Sequence, residues 1–285
     1  MNKIAPIAGL LCELETGIQR LTSTNAGLMT GPGTNTYILG KEEPIVIDPG
    51  PEISRHIDRI LEFTNGNIFS ILVTHTHLDH SPATCLLAKE TGAKVLGISP
   101  PPLDHQDMTF SPDKELKDGD TIETKELKLT AIYTPGHASN HMCYFHDEYR
   151  CLFSGDHIID GSTVVINPPD GDMHDYLNSL ERIKLINIEN ILPGHGSVID
   201  NSSEVIEGTI KHRIKRESKV IECLKAHPKV SLSDLVQYVY DDIDKSLYFL
   251  AERSLLAHLL KLKKEDRVNV TNDCWHLFSS NSNAN

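Results

Sequence analysis

Two hydrophobic periodicities divide the chain. Up to about residue 200, short runs of β-branched residues alternate with stretches whose apolar positions recur at helical spacing, and glycine or proline punctuates the joins. Residues 36–39 and 44–47 read as strands joined by a turn over 40–43, a hairpin near the start. Ser54 stands as N-cap before a helix over 55–65, which leads through Gly66 into a strand over 68–74. A helix over 82–91 closed by Gly92 and a strand over 93–97 continue the alternation. Strands over 127–133, 142–145 and 151–153, a helix over 175–185 and a strand over 188–192 follow. The pattern predicts a mixed α/β layered domain.

Past Asn201 the strand runs stop. Three helical patterns over about 203–226, 231–240 and 246–262, then a short strand-like stretch over 267–278, predict a winged-helix-like appendage. The expected division is a catalytic domain over 1–202, the appendage over 203–279 and a disordered polar tail over 280–285. The first helix of the appendage carries Lys211, His212, Arg213, Lys215 and Arg216, the dense basic run of the chain. A solvated helix face is the simpler reading, nucleic-acid contact the sharper one.

Composition narrows the classes. A length of 285 residues, beyond the usual domain mode of roughly 100–150 residues, fits one large domain with an appendage. Hydrophobic content of 39% and charged content of 24% exclude a disordered chain. A net charge of -13 repels phosphate backbones and anionic lipid, so nucleic acid is not the default partner. The 6 cysteines lack CxxC spacing and read as buried free thiols. The apolar run over 5–12 is broken by Glu13 and Glu15 before a signal segment could form. No run approaches the roughly 20 apolar residues that span a bilayer. A cytoplasmic protein without membrane contact is expected.

Chemistry concentrates in His75, His77, Asp79 and His80, directly after the apolar run that ends at Thr74. Packing needs no such cluster, and burying it without coordination would be costly. Imidazole and carboxylate are zinc ligands, and an open coordination position lets water ionise near neutral pH, as a hydrolase needs. Four groups cannot all close one tetrahedral site that also admits water, so further ligands are expected downstream. His137 in Thr-Pro-Gly-His, Asp156 in Phe-Ser-Gly-Asp and His195 in Leu-Pro-Gly-His-Gly each follow an apolar strand with glycine beside them.

This succession, HxHxDH, then His, Asp and His, resembles the metallo-β-lactamase superfamily over roughly residues 25–200. The resemblance implies a four-layer αββα sandwich of class α/β with the winged-helix-like α domain appended. It implies one metal at His75, His77 and His137, another at Asp79, His80 and His195, and Asp156 bridging them. A metal-bridging hydroxide would be the nucleophile, and Asp79 the catalytic group that orients it or moves its proton. Two Zn2+ are expected, with Mn2+ or Fe also suited to these ligands. Asp156 turns the reading away from true β-lactamases, and His77 away from the di-iron flavodiiron relatives. Residues 25–40, Asp48-Pro-Gly-Pro51 and the His212-Arg213 pair are similar to the β-lactamase-like protein 2 group, which includes single-strand-specific endoribonucleases. Glyoxalase II shares the ligands and hydrolyses thioesters. Single-stranded RNA and a small ester or thioester therefore both stand as substrates, with a non-catalytic winged-helix module as the third reading. Substrate-binding residues and oligomeric state are not legible.

Around the cluster, Thr34 and Asn35 read as turn residues more readily than as pocket lining. His141 reads equally as an orienting group beside His137 or as a strand-start residue. His157 points elsewhere if its loop is extended. His174 and Tyr176 read as substrate contacts or as cap and packing residues. The remaining histidines read as surface residues, and Trp275 and Phe278 as packing of the small domain.

Overall fold

A computed structural model describes residues 1–278. The first sheet takes β1 (Leu11–Glu15), β2 (Ile18–Thr22), β3 (Asn35–Leu39) and β4 (Ile45–Ile47) as an antiparallel meander. Helix α1 (Ser54–Thr64), β5 (Ser70–Leu72), α2 (Ala83–Thr91), β6 (Lys94–Gly97) and β7 (Lys114–Glu115) then extend it in parallel. Parallel neighbours need a crossover, which α1, α2 and, between β6 and β7, an irregular loop supply. Strands covered on both faces read as unbroken apolar runs, as Ile45-Val46-Ile47 does.

The second sheet contains β8 (Thr121–Glu123), β9 (Lys128–Tyr133), β10 (Met142–His146), β11 (Cys151–Gly155) and β12 (Asn190–Pro193), with α3 (Met173–Ile183) crossing between the last two. Side-chain alternation builds the layers. Leu39, Ile45, Ile47 and Leu72 face Leu129, Met142, Tyr144 and Phe153 between the sheets. On the opposite face Ile38, Val46 and Ile71 meet Ile57, Ile60 and Leu87 of α1 and α2. Cys143, Phe145 and Leu152 pack under Leu180 and Ile183 of α3. The result is the expected αββα sandwich.

Helix α4 (Ser202–Ala226) is shared. Its Ile206 and Ile210 belong to the core under α3, while Val220 and Leu224 belong to a separate core. That second core also holds α5 (Leu232–Val239), α6 (Tyr248–Lys264), and a small sheet of β13 (Val230–Ser231), β14 (Val268–Thr271) and β15 (Cys274–Leu277). These form the winged-helix unit, and α6 also packs against α3.

Several expectations are corrected. Ser54 is the first helical residue and not the cap, a place held by Ile53 without a side-chain bond. Strands β1 and β2 are absent from the hydrophobic pattern because Glu13, Glu15 and Arg20 interrupt it; Arg20 is buried, and its Nη2 donates to the Ile4 carbonyl. Only Cys143 and Cys151 are buried, and Cys85 is exposed. Trp275 packs in the winged-helix core, but Phe278 is exposed. His56, His146 and His258, expected at the surface, are buried. Residues 280–285, expected to be disordered, lie outside the described residues. No helix among the described residues is long and apolar enough to cross a membrane.

Candidate metal centre

The loops that follow β5, β9, β11 and β12 converge, and they bring all of His75, His77, Asp79, His80, His137, Asp156 and His195 together. His77 Nδ1 lies 2.9 Å from His75 Nε2 and 3.1 Å from His137 Nε2. His195 Nε2 lies 3.2 Å from Asp79 Oδ2, and His80 Nε2 lies 3.4 Å from that same oxygen. Asp156 faces both groups: Oδ1 is 3.3 Å from His195 Nε2 and 3.5 Å from His80 Nε2, while Oδ2 is 3.7 Å from His137 Nε2. Glycine permits this crowding. A Cβ at Gly194 would lie 2.7 Å from Asp156 Oδ1, and one at Gly155, with φ +47, would lie 2.5 Å from Thr74 Oγ1.

The outward nitrogens fix which way the imidazoles point. His137 Nδ1 donates to the Val165 carbonyl at 2.9 Å and His195 Nδ1 to the Gly33 carbonyl at 3.2 Å, so in the neutral ring each Nε2 presents a lone pair inward. Asp48, read from sequence only as part of the Asp48-Pro-Gly-Pro51 stretch, does the same for His80. Its Oδ2 accepts from His80 Nδ1 at 2.9 Å and from Thr74 Oγ1 at 2.7 Å, while Oδ1 accepts from the Thr74 N–H at 2.7 Å. Because the Thr74 hydroxyl proton goes to Asp48, its oxygen accepts from His75 Nδ1 at 3.1 Å, and His75 Nε2 also carries a lone pair.

These donors fit a metal cation on grounds internal to the protein. His75 and His137 both aim lone pairs at His77 Nδ1, whose single proton could satisfy one of them. His80 Nε2 and Asp156 Oδ1 are buried with no hydrogen-bond partner among the described residues. Burial, reinforced by neighbouring imidazoles, holds His75 well below the ordinary imidazole range and His77 down to about 3; burial also lowers His137. In the other group burial opposes charge but loses to the carboxylates. Asp156 and Asp79 raise His195 to about 10, and Asp79, Asp156 and Asp48 raise His80. Burial likewise opposes the ionisation of Asp79 and Asp156, yet His80 and His195 hold both below the usual carboxylate range. The set offers deprotonated imidazoles on one side and carboxylates on the other, nitrogen and oxygen donors suited to zinc, manganese or iron.

The periphery departs from the sequence reading. Thr34 and Asn35 are not turn residues. Thr34 Oγ1 donates to Asp79 Oδ2 at 3.3 Å, and Asn35 Nδ2 donates to the carbonyls of Pro193 and Gly196, holding the His195 loop. His141 is buried. It stacks on His75, its Nδ1 bonds Thr134 Oγ1, and its Nε2 accepts the Asp156 N–H at 3.2 Å. His157 is buried in a turn against Tyr176, both ring nitrogens without partners among the described residues. Tyr176 packs internally, its hydroxyl donating to the His157 carbonyl, and His174 is exposed in the first turn of a helix that Asp172 caps.

Helical periodicity splits the basic run. Arg213 and Arg216 face inward, whereas Lys211, His212 and Lys215 are exposed, with Lys211 paired to Glu207. The metal pocket, about 700 Å3, is also lined by His105, whose Nε2 lies 3.9 Å from buried Asp170, and by exposed Arg253 of α6. Neither was legible, because Arg253 arrives from the winged-helix unit and His105 from an irregular loop.

Residues 29–195 match the family described as the metallo-beta-lactamase superfamily, and residues 231–275 the beta-lactamase associated winged helix domain. A beta-lactamase-like protein 2 homolog of Caenorhabditis elegans is 34% identical, over 90% of this chain and 87% of its own. The thioesterase pkgB of Emericella nidulans is 31% identical over 76% of this chain and 63% of its own length. Among solved structures, a metallo-beta-lactamase family protein of Thermus thermophilus superimposes with a TM-score of 0.78 at 19% identity, covering 93% of this chain and all of that one.

Proposed function

The chain belongs to the metallo-β-lactamase superfamily and is a metal-dependent hydrolase, and from that premise we propose that it hydrolyses a small-molecule ester or thioester. In this reading His75, His77 and His137 would hold one ion and Asp79, His80 and His195 a second, with Asp156 facing both groups, and zinc comes first with manganese or iron as substitutes. The ions supply Lewis acidity and a water ionised near neutral pH. Asp79, whose Oδ2 accepts from Thr34 Oγ1 and faces His80 and His195, is the carboxylate that would orient such a water or take up its proton. Water adds to the acyl carbon, the carbon–sulfur bond breaks, and the proton goes to the leaving sulfur, giving a carboxylic acid and a thiol. The work is divided between a catalytic unit over 1–202 and a winged-helix-like unit over 203–279. This division concerns roles and not packing, since α4 serves both cores.

The observation that carries the reading is an apolar collar. Leu28 is 66% exposed, Met29 51% and Leu78 56%, and all three line the space beside the candidate ligands. Apolar residues left at the rim of a charged centre favour a substrate with apolar surface to bury. Single-stranded RNA cleavage is the second reading, favoured by exposed Arg253, which has no ion-pair partner among the described residues and lines the metal pocket. The test pairs zinc-loaded protein with acyl thioesters and with single-stranded RNA, using Asp79→Ala as control. Thioester turnover lost in the variant supports the first reading. RNA cleavage that survives stringent purification and disappears in the variant, without thioester turnover, decides for the second.

A further inference from the structure

A second cavity of about 290 Å3 adjoins the metal pocket. The two share Met29, His137, Asp156 and Val165, so the second cavity lies directly beside the candidate ligands, at the joint between the catalytic and winged-helix units. Ile159, Val164, Leu250 and Ala251 make much of its wall apolar. At this joint α4 contributes two arginines with different surroundings. Arg216 bonds both carboxylate oxygens of Asp242 and the Val239 carbonyl, and its guanidinium lies 4.2 Å from the centre of the Tyr240 ring. Arg213 is 3% exposed, yet it has no carboxylate within ion-pair distance among the described residues. Its Nη2 donates to the Val164 carbonyl, its guanidinium lies 5.4 Å from the centre of the Tyr176 ring, and its Nε has no partner.

A guanidinium cannot shed its proton to escape burial. One carbonyl and one aromatic face leave its charge uncompensated, and an uncompensated buried charge is unfavourable. Arg213 also lines the cavity, so an incoming group can reach it. That group must be anionic to pair with the guanidinium and must be attached to apolar material to fill the walls. At about 290 Å3 the space is near the lower end of small-molecule sites, roughly 300–1,000 Å3, and suits an acyl group better than a polynucleotide strand.

We propose that this cavity is the acyl subsite of the hydrolase and that Arg213 binds a carboxylate at the far end of the acyl group, so that the preferred substrate is the monothioester of a dicarboxylic acid. The proposal rests on the thioester reading. Its test compares N-acetylcysteamine thioesters of adipic and suberic acid with the hexanoyl and octanoyl thioesters, which end in methyl. Wild-type protein should prefer the acidic member of each pair at least tenfold in kcat/KM, a preference that Arg213→Met reduces to near one and Arg213→Lys partly keeps. Independently of turnover, calorimetric titration of the metal-free protein should show octanoate binding at least tenfold tighter than octanamide, which has the same chain without the charge, with the difference lost in Arg213→Met. Equal kcat/KM within the pairs in wild-type protein, or equal binding of octanoate and octanamide, overturns the assignment even if Arg213→Met does not fold. Turnover of every thioester without preference removes the subsite alone, whereas no turnover of any thioester removes the underlying reading.

Discussion

Asp48 touches no candidate metal position, yet its replacement by asparagine should unload half of the centre. Its Oδ2 accepts from both His80 Nδ1 and the Thr74 hydroxyl, and its Oδ1 from the Thr74 N–H. An amide has one oxygen for these three donors. If its NH2 takes the Oδ2 place, His80 must turn Nδ1 into an acceptor, which moves the ring proton to Nε2 and removes the lone pair that faces Asp79 and Asp156. If the amide turns the other way, its NH2 confronts the Thr74 N–H, leaving a buried donor unsatisfied at about 1–3 kcal/mol. Loss of such an outer partner weakens a metal site by about 10–100-fold, equivalent to about 1.4–2.8 kcal/mol. His137 keeps its Val165 partner and His75 reaches Asp48 only through the Thr74 hydroxyl, so the effect should be greatest at the ion of His80. Competition with a graded chelator, read by elemental analysis, should show that ion released first, at about 10–100-fold lower chelator strength than in wild type. Two ions retained with wild-type affinity in folded Asp48→Asn protein would refute the tautomer argument.

Other expectations concern the ligands, the backbone and acid stability. His137→Ala or Asp156→Ala should lose metal and activity together, and two metals per chain by elemental analysis in either variant would sink the ligand assignment. Gly136→Ala should destabilise the catalytic unit by about 1–3 kcal/mol, because its φ is +137 and a Cβ there would lie 2.3 Å from Tyr176 Cα; a thermal midpoint equal to wild type would show that this approach yields easily. Burial pushes His56 down to about 4, although a hydrogen bond with the Pro49 backbone opposes the shift. A depressed histidine leaves stability unchanged above its unfolded pKa near 6.5 and loses it as pH falls from there toward 4, by about 2–3 kcal/mol in all. Urea unfolding of metal-free protein at pH 7.5 and 4.5 should show this loss in wild type and much less of it in His56→Gln; equal losses in both would remove His56 as the cause.

The sequence alone determined a layered α/β domain, the appended helices and the residues that converge at the centre, while the four-layer αββα order was what the family resemblance implied. Each of these leaves a local trace: apolar periodicity in the strands and helices, and polar ligands beside glycine at strand ends, as at His137, Asp156 and His195. Strands β1 and β2 were missed because charged residues interrupt them, and the contact that Arg20 makes once buried, to the Ile4 carbonyl, is one no local pattern reveals. The orienting role of Asp48 was missed for a similar reason, since it lies in His80 and Thr74, some thirty residues away along the chain. The basic run over 211–216 looked uniform, and only packing divided it into exposed lysines, an arginine paired with Asp242, and Arg213 facing a cavity. Charge and residue type are written along the chain, but whether a charge is compensated depends on what the fold places beside it. The same holds for Arg253, which reaches the metal pocket only because α6 docks on the catalytic unit.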